Sequence, residues 1–216
     1  MIKIENSEIM NWIGALRGMR NPMNSWSRGD SYVLDSGEVH IGDNDLKLLL
    51  TLCKAGTDHR KVLRQVMVSM DITAPRFWWE QFSTYRVGVV QNSCSTMHRL
   101  TYKPFEVSDF SFEHLINGKT YREIEMQPYD VAKLLVDHLN NLRELYLETK
   151  SKDVWWQMIE LLPQSYNQKR TITLNYEVLV NMYFARKDHK LDEWHTFCDW
   201  IKTLPYMKDI LDAIEG

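Results

Sequence analysis

Residues 56–98 read GTDHRKVLRQVMVSMDITAPRFWWEQFSTYRVGVVQNSCSTMH. Within them Val66–Thr73 alternates, with Val66, Val68 and Met70 on one side and Met67, Ser69 and Asp71 on the other. That is the period of a half-buried strand. Pro75 follows where a helix begins, since its fixed φ and missing N–H suit the first turn. Arg76–Arg86 reads as that helix, with Trp78, Trp79 and Phe82 apolar. Upstream, Gly56 suits the end of one helix and Thr57 caps a short second one over Asp58–Gln65. Val87–Thr96 loses the helical period, gains Gly, Asn and Ser, and reads as a loop. A strand set between helices points to the α+β class.

The flanking sequence extends that reading. Ser7–Arg20 carries Ile9, Trp12, Ile13 and Leu16 at helical spacing. Residues 21–43 are rich in Gly, Ser, Asn and Asp and read as loop, with one extended piece at Ser31–Leu34. Asp43 or Asn44 caps a helix bearing Leu46, Leu49, Leu50 and Cys53. Met97–Ser111 is extended or irregular. From Pro128 the chain is helical. Tyr129–Thr149 holds the longest 3.6-residue pattern (Val131, Leu134, Leu135, His138, Leu139, Leu142, Leu145, Tyr146), followed by Val154–Leu162, Asn175–Arg186, Leu191–Thr203 and a last helix opened by Pro205. The expected fold is α+β, helix-dominated, with a small antiparallel or mixed sheet. No repeat or linker interrupts it, so residues 1–216 are expected to form a single domain.

Composition narrows the class. Apolar residues at 44% and charged residues at 25% of 216 exclude a disordered chain, and 25 aromatic residues supply a sizeable core. Trp78, Trp79, Trp155, Trp156 and Trp194 lie in helical patterns, where burial is the default. No apolar run reaches the roughly 20 residues of a membrane span, and MIKIENSEIM lacks a basic stretch followed by an apolar one. Cys53, Cys94 and Cys198 show no metal-ligand spacing, so no metal is expected and a reducing compartment fits. The expectation is a soluble, cytoplasmic protein with no membrane partner. A formal charge of −3 argues against a nucleic-acid partner, although Arg60–Arg64 is locally basic.

Chemistry concentrates in residues 56–98. Gln81 and Tyr85 fall at i and i+4 of the expected helix and share a face, and Arg86 closes it. Gln91, Asn92, Ser93, Ser95 and Thr96 offer hydroxyls and amides that suit a phosphate or a pyrimidine edge. They equally suit a polar surface turn. His59 stands beside Arg60, Lys61 and Arg64, which describes either an anion site or a solvated helix face. Cys94 has no adjacent cation to stabilise a thiolate. No catalytic triad order or glycine-rich phosphate loop is present.

The order of elements resembles the flavin-dependent thymidylate synthases, whose signature is R-H-R-x-x-S-x-N-E-x-S-x-R-Y. The matching stretch is Thr84-Tyr85-Arg86 and then, after one extra residue, Asn92-Ser93-Cys94-Ser95-Thr96-Met97-His98. His59 lies at the distance of the family's upstream flavin-contacting His, and Gln81 stands five residues before Arg86. Leu162-Pro163, Lys169-Arg170, Thr173-Leu174-Asn175 and Arg186 repeat the family's downstream order. The resemblance implies a thymidylate synthase-like fold and a homotetramer that uses FAD, NADPH and methylenetetrahydrofolate to methylate a pyrimidine deoxynucleotide such as dUMP at C5. It places His59, Tyr85, Arg86 and Arg186 at the flavin. It places Gln81, Asn92, Ser93, Ser95, Lys169 and Arg170 at the nucleotide, and gives Arg86 and Ser95 the catalytic positions.

Only Arg86, Asn92 and Ser95 match the signature, and four of its ionisable positions are replaced. Thr84 and Tyr85 replace Arg and His, Ser93 replaces Glu, and Met97 replaces the last Arg. Each lost charge-assisted hydrogen bond is worth roughly 1.5–3 kcal/mol. His98 and Arg99 are nearby polar replacements. The residues therefore support two readings: a divergent nucleotide methyltransferase, or a non-catalytic nucleotide-binding or protein-interaction module that kept the fold.

Overall fold

The computed structural model describes residues 2–116 and 126–216. Its elements in chain order are β1 (Lys3–Met10), α1 (Trp12–Met19), β2 (Tyr32–Val33), β3 (Val39–His40), α2 (Asp43–Lys54), β4 (Met67–Pro75), α3 (Arg76–Phe82), β5 (Val89–Ser93), α4 (Thr96–Arg99), α5 (Pro128–Thr149), α6 (Lys152–Leu161), β6 (Asn167–Asn175), α7 (Tyr176–Arg186), α8 (Asp192–Thr203) and α9 (Met207–Glu215). A four-stranded antiparallel sheet has the order β1-β4-β6-β5, and β2 pairs with β3 in a separate hairpin. The α+β, helix-dominated class is as expected. Among the described residues no helix is long and apolar enough to cross a membrane, and no cluster of His, Cys, Asp or Glu is set to hold a metal.

Several elements differ from expectation for identifiable reasons. The helix expected over Ser7–Arg20 begins only at Trp12. Asn11, at φ +71°, sits in the left-handed region that a right-handed helix does not pass through, and its Nδ2 donates to the Gln65 carbonyl at 3.0 Å. The preceding residues form β1, tied to β4 by Asn6 Nδ2 donating to Asp71 Oδ2 at 2.9 Å. Val87–Thr96 is not all loop, because Val89–Ser93 pairs at the sheet edge as β5. The helix expected over Arg76–Arg86 ends at Phe82, so Gln81 and Tyr85 do not share a helical face. Asp58–Gln65 holds only a 3-10 turn at Lys61–Arg64. The strand β6 was not expected at all.

Two compact units divide the chain. The first takes residues 2–3, 72–84 and, among those described, 92–170. Its core joins Val136 and Leu139 of α5 to Met158 of α6, Leu162, Leu100, Phe105 and Phe110. Asn140 clamps the loop before it: its Nδ2 donates to the Phe105 carbonyl at 2.9 Å and its Oδ1 accepts from the Phe105 amide at 2.7 Å. Trp155 packs against this core, whereas Trp156 and the α5 residues Val131, Leu134 and Leu145 are exposed. The stripe expected on α5 therefore overstates its buried face, which lies at Ala132, Val136 and Leu139. Trp78, Trp79 and Phe82 are buried and meet one another along α3 in edge-on or tilted contacts.

The second unit takes Ile4–Asp71, Tyr85–Gln91 and Thr171–Gly216. Here α2 packs on α9 and α7 on α8, around the buried Trp12, Leu49, Tyr176, Trp194 and Met207. The N-terminus of α2 is capped from a distance. Asp30 accepts from the Asn44 amide at 2.8 Å and the Asp45 amide at 3.0 Å, so the cap is neither Asp43 nor Asn44. In α7 the expected cap holds, with Asn175 Oδ1 accepting from the Val178 amide at 3.0 Å.

Candidate functional site

In the second unit, a cavity of about 710 Å³ lies between α1, the turns after it, α2 and residues 58–65. That is within the roughly 300–1,000 Å³ range of small-molecule pockets. His59 lines it, exposed. The cations among its lining residues are Arg20, Arg28, Lys47 and Lys61, and the one carboxylate among them is Asp58. Met19, Pro22, Leu48 and Leu52 give apolar wall.

Arg20 is the most constrained of these cations. It is 5% exposed, and its Nε donates to Asp45 Oδ1 at 2.6 Å. Its Nη1 reaches the Ser25 carbonyl at 3.4 Å, and its Nη2 is buried without a hydrogen-bond partner among the described residues. The second Asp45 oxygen accepts from the Asp30 and Ser31 amides, both at 3.1 Å, and from Ser31 Oγ at 2.6 Å. Burial raises the Asp45 carboxyl, but the hydrogen bonds from Ser31, Arg20 and Asp30, together with the Arg20 charge, outweigh it and hold the carboxyl below its ordinary value.

The basic run beside His59 is divided. Arg60 turns inward, and its Nε donates to both Glu177 oxygens at 2.9 and 3.1 Å, with both side chains buried. Arg60 is thus neither part of a solvated face nor available to a ligand, while Lys61 remains on the cavity wall. Tyr85 and Arg186 are brought together in the same unit: Arg186 Nε donates to the Tyr85 hydroxyl at 2.9 Å, and the guanidinium lies 4.8 Å from the Trp194 ring centre. Arg86 is exposed on the turn before Gly88. That glycine is required: φ is +73°, and a Cβ would lie 3.2 Å from Val178 Cγ2.

In the first unit, Ser95 and Lys169 line a cleft of about 310 Å³ with Cys94, Thr96, Arg99, Lys103 and Tyr166. The pairing of β5 with β6 builds it. The Cys94 amide donates to the Lys169 carbonyl at 2.9 Å, and Gln168 Nε2 donates to the Cys94 carbonyl at 2.8 Å. Ser95 caps α4, its Oγ accepting from the His98 amide at 3.3 Å. Lys103 is paired to Asp109 at 2.7 Å. Burial, then the Asp109 and Cys94 charges, raise the Tyr166 phenol, which stays a neutral donor at the cleft.

Arg170 points elsewhere. Its Nε donates to Gln168 Oε1 at 3.0 Å, its Nη1 to Ser83 Oγ at 3.2 Å, and its guanidinium lies 4.4 Å from the Trp79 ring centre. Burial, then the Arg76 charge, lower its pKa from the ordinary value. Asn92 and Ser93 are exposed at the end of β5, and Gln81 is half-buried on α3. Sequence reasoning missed Arg20, Arg28 and Lys47, whose signal lies only in the carboxylates Asp30 and Asp45 that fold the loop around them. It also missed Tyr166, Gln168 and Lys103 at the cleft.

No protein-family model matches the chain, and no curated sequence matches it. Solved structures do. Thymidylate synthase X (ThyX) from Helicobacter pylori with FAD and dUMP is similar at TM-score 0.67 and 18% identity, with 100% of each chain covered. A second structure of the flavin dependent thymidylate synthase ThyX from Helicobacter pylori, complexed with FAD and dUMP, is similar at 0.67 and 17%, covering 98% of this chain and 99% of that one. The UMP/dUMP methylase PolB from Streptomyces cacaoi, bound with 5-Br dUMP, is similar at 0.60 and 14%, covering 100% and 94%. What this chain shares with ThyX and PolB, end to end, is their fold.

Proposed function

We propose that the chain binds a flavin dinucleotide and a pyrimidine nucleotide and modifies the pyrimidine at C5, acting as a divergent relative of the flavin-dependent thymidylate synthases. The observation that carries this reading is the full-length likeness to a thymidylate synthase crystallised with FAD and dUMP. On the same reading NADPH and methylenetetrahydrofolate are the co-substrates, residues 1–216 act as one functional domain, and the assembly is a homotetramer.

The residues at the second unit's cavity fit a dinucleotide. A pyrophosphate needs cations and N–H donors, and this wall supplies Arg28, Lys47 and Lys61 beside a buried Arg20 whose Nη2 has no partner among the described residues. When bound, FAD supplies the redox chemistry that no side chain here provides. The chain holds the anionic part with those cations, takes a polar edge with His59 and screens the ring from water with Met19, Leu48 and Leu52. Arg86 and Arg186 stand in the same unit as further flavin contacts.

In the first unit the cleft takes the nucleotide. Ser95 keeps its hydroxyl proton for donation because its oxygen accepts the His98 amide. Lys169 gives charge at the rim. Gln81, Asn92 and Ser93 are further polar contacts on that unit's surface. Arg170 braces Gln168 under Trp79 and thereby fixes the Cys94 backbone.

Two observations favour a second reading, a nucleotide-binding module without turnover. Arg186 is engaged by Tyr85 and Trp194, and Thr84, Ser93 and Met97 replace charged signature residues. The deciding experiment incubates the purified protein with dUMP, FAD, NADPH and methylenetetrahydrofolate and analyses the nucleotide by mass spectrometry. A methylated nucleotide supports the enzyme. Unchanged dUMP with both ligands bound supports the module. Binding of neither ligand overturns both readings.

A further inference from the structure

We infer that Arg99, a position outside the resembled signature, is the cation that receives the 5′-phosphate of a nucleoside monophosphate in the first unit's cleft. The inference rests on the nucleotide reading above and adds to it the residue that discriminates a nucleotide from a nucleoside.

Three cations line the cleft, Arg99, Lys103 and Lys169, and Arg99 is the one whose planar fork is held against an aromatic ring. Lys103 is already compensated, with Nζ 2.7 Å from Asp109 Oδ1 and 3.9 Å from Glu106 Oε2. Arg170 is committed to Gln168, Ser83 and the Trp79 ring. Met97, at the place of the signature's last Arg, is 53% exposed and carries no charge. Arg99 lines the cleft, and among the described residues it meets no carboxylate. Its guanidinium lies 3.9 Å from the centre of the Tyr102 ring. Stacking of this kind orients the guanidinium plane and leaves its in-plane N–H donors for a second partner.

Position completes the case. The Arg99 amide donates to the Ser95 carbonyl at 3.1 Å, so the two residues stand one helical turn apart on the same side of α4. The Ser95 hydroxyl and the Arg99 fork therefore face one ligand volume. A planar fork beside a hydroxyl suits a phosphate monoester, which accepts bidentate Arg and a further hydrogen bond at once. In this chain the cation is displaced by two residues from Met97 and is held by an aromatic ring.

Equilibrium titration of the full-length protein with dUMP and with deoxyuridine, which lacks the phosphate, tests this. The wild type is expected to bind dUMP more tightly than deoxyuridine. Arg99→Ala is expected to weaken dUMP about 10- to 100-fold, the range for a lost charge-assisted bond, and to leave deoxyuridine unchanged. Arg99→Lys should fall between, because it keeps the charge and loses the fork. Lys103→Ala, removing a cation already paired, should change dUMP binding less than about threefold. If the wild type binds dUMP and Arg99→Ala binds it equally well, or loses dUMP and deoxyuridine alike, the assignment of Arg99 is overturned and the nucleotide reading stands. If the wild type binds neither compound, both fall.

Discussion

Arg186 donates its Nε–H to the Tyr85 hydroxyl at 2.9 Å, joining two residues that lie 101 positions apart. The contact holds the guanidinium beside Trp194, where it also gains cation–π attraction. Tyr85→Phe removes the acceptor and keeps both rings. Urea unfolding should show a loss of about 0.5–1.5 kcal/mol, the usual net worth of one hydrogen bond. Unchanged stability would mean that Tyr85 does not restrain Arg186.

Acid should act on the second unit through Asp45. Its folded carboxyl is held below the unfolded value of about 3.9. The stabilisation is therefore fully present above that pH and is lost as pH falls through the folded value. Asp45→Asn should be less stable than wild type at pH 7 and should lose less further stability between about pH 5 and the acid limit. Parallel stability curves for the two proteins, measured by circular dichroism across that range, would contradict the assignment.

The buried pair of Arg60 and Glu177 makes a larger prediction. Glu177→Gln leaves Arg60 charged and without its carboxylate in the interior, which costs about 3–5 kcal/mol. Replacing both by apolar residues, as in Arg60→Met with Glu177→Leu, should recover most of that loss. Equal destabilisation by the single and the double variants, compared by chemical denaturation, would sink the argument.

Thiol chemistry should report on the cleft. Cys94 is exposed and lines it, while Cys53 and Cys198 are buried, and burial pushes their thiols up to about 12 and about 11. Native protein should therefore react with iodoacetamide at one cysteine and denatured protein at three, and dUMP should slow the native reaction. Fast labelling of Cys53 in native protein, or no protection by dUMP, would count against this picture of the cleft.

The sequence showed the elements whose burial writes a pattern. The alternation of Val66, Val68 and Met70, the start at Pro75, the Asn175 cap and the helices α5, α7 and α8 all follow from local physics. The edge strands β1 and β5 left no such mark, because pairing on one side makes them strands while most of their side chains stay exposed. The apolar spacing from Ile9 to Leu16 ran across Asn11, whose left-handed backbone separates β1 from α1. In β6, Lys169 and Arg170 drew attention as charges and hid the strand that carries them. At the candidate site His59, Ser95 and Lys169 were legible as residue types. The Arg20–Asp45 pair was not, because 25 positions separate the partners and only the folded loop joins them.

Titration of the protein with FAD, read by quenching of flavin fluorescence, tests most directly the proposal that the second unit's cavity holds a flavin dinucleotide. Saturable binding that Arg20→Ala and Lys47→Ala each weaken is expected, with FAD preferred over riboflavin because only FAD carries the pyrophosphate. Binding of neither compound, or equal affinity for both in wild type and variants, would contradict it.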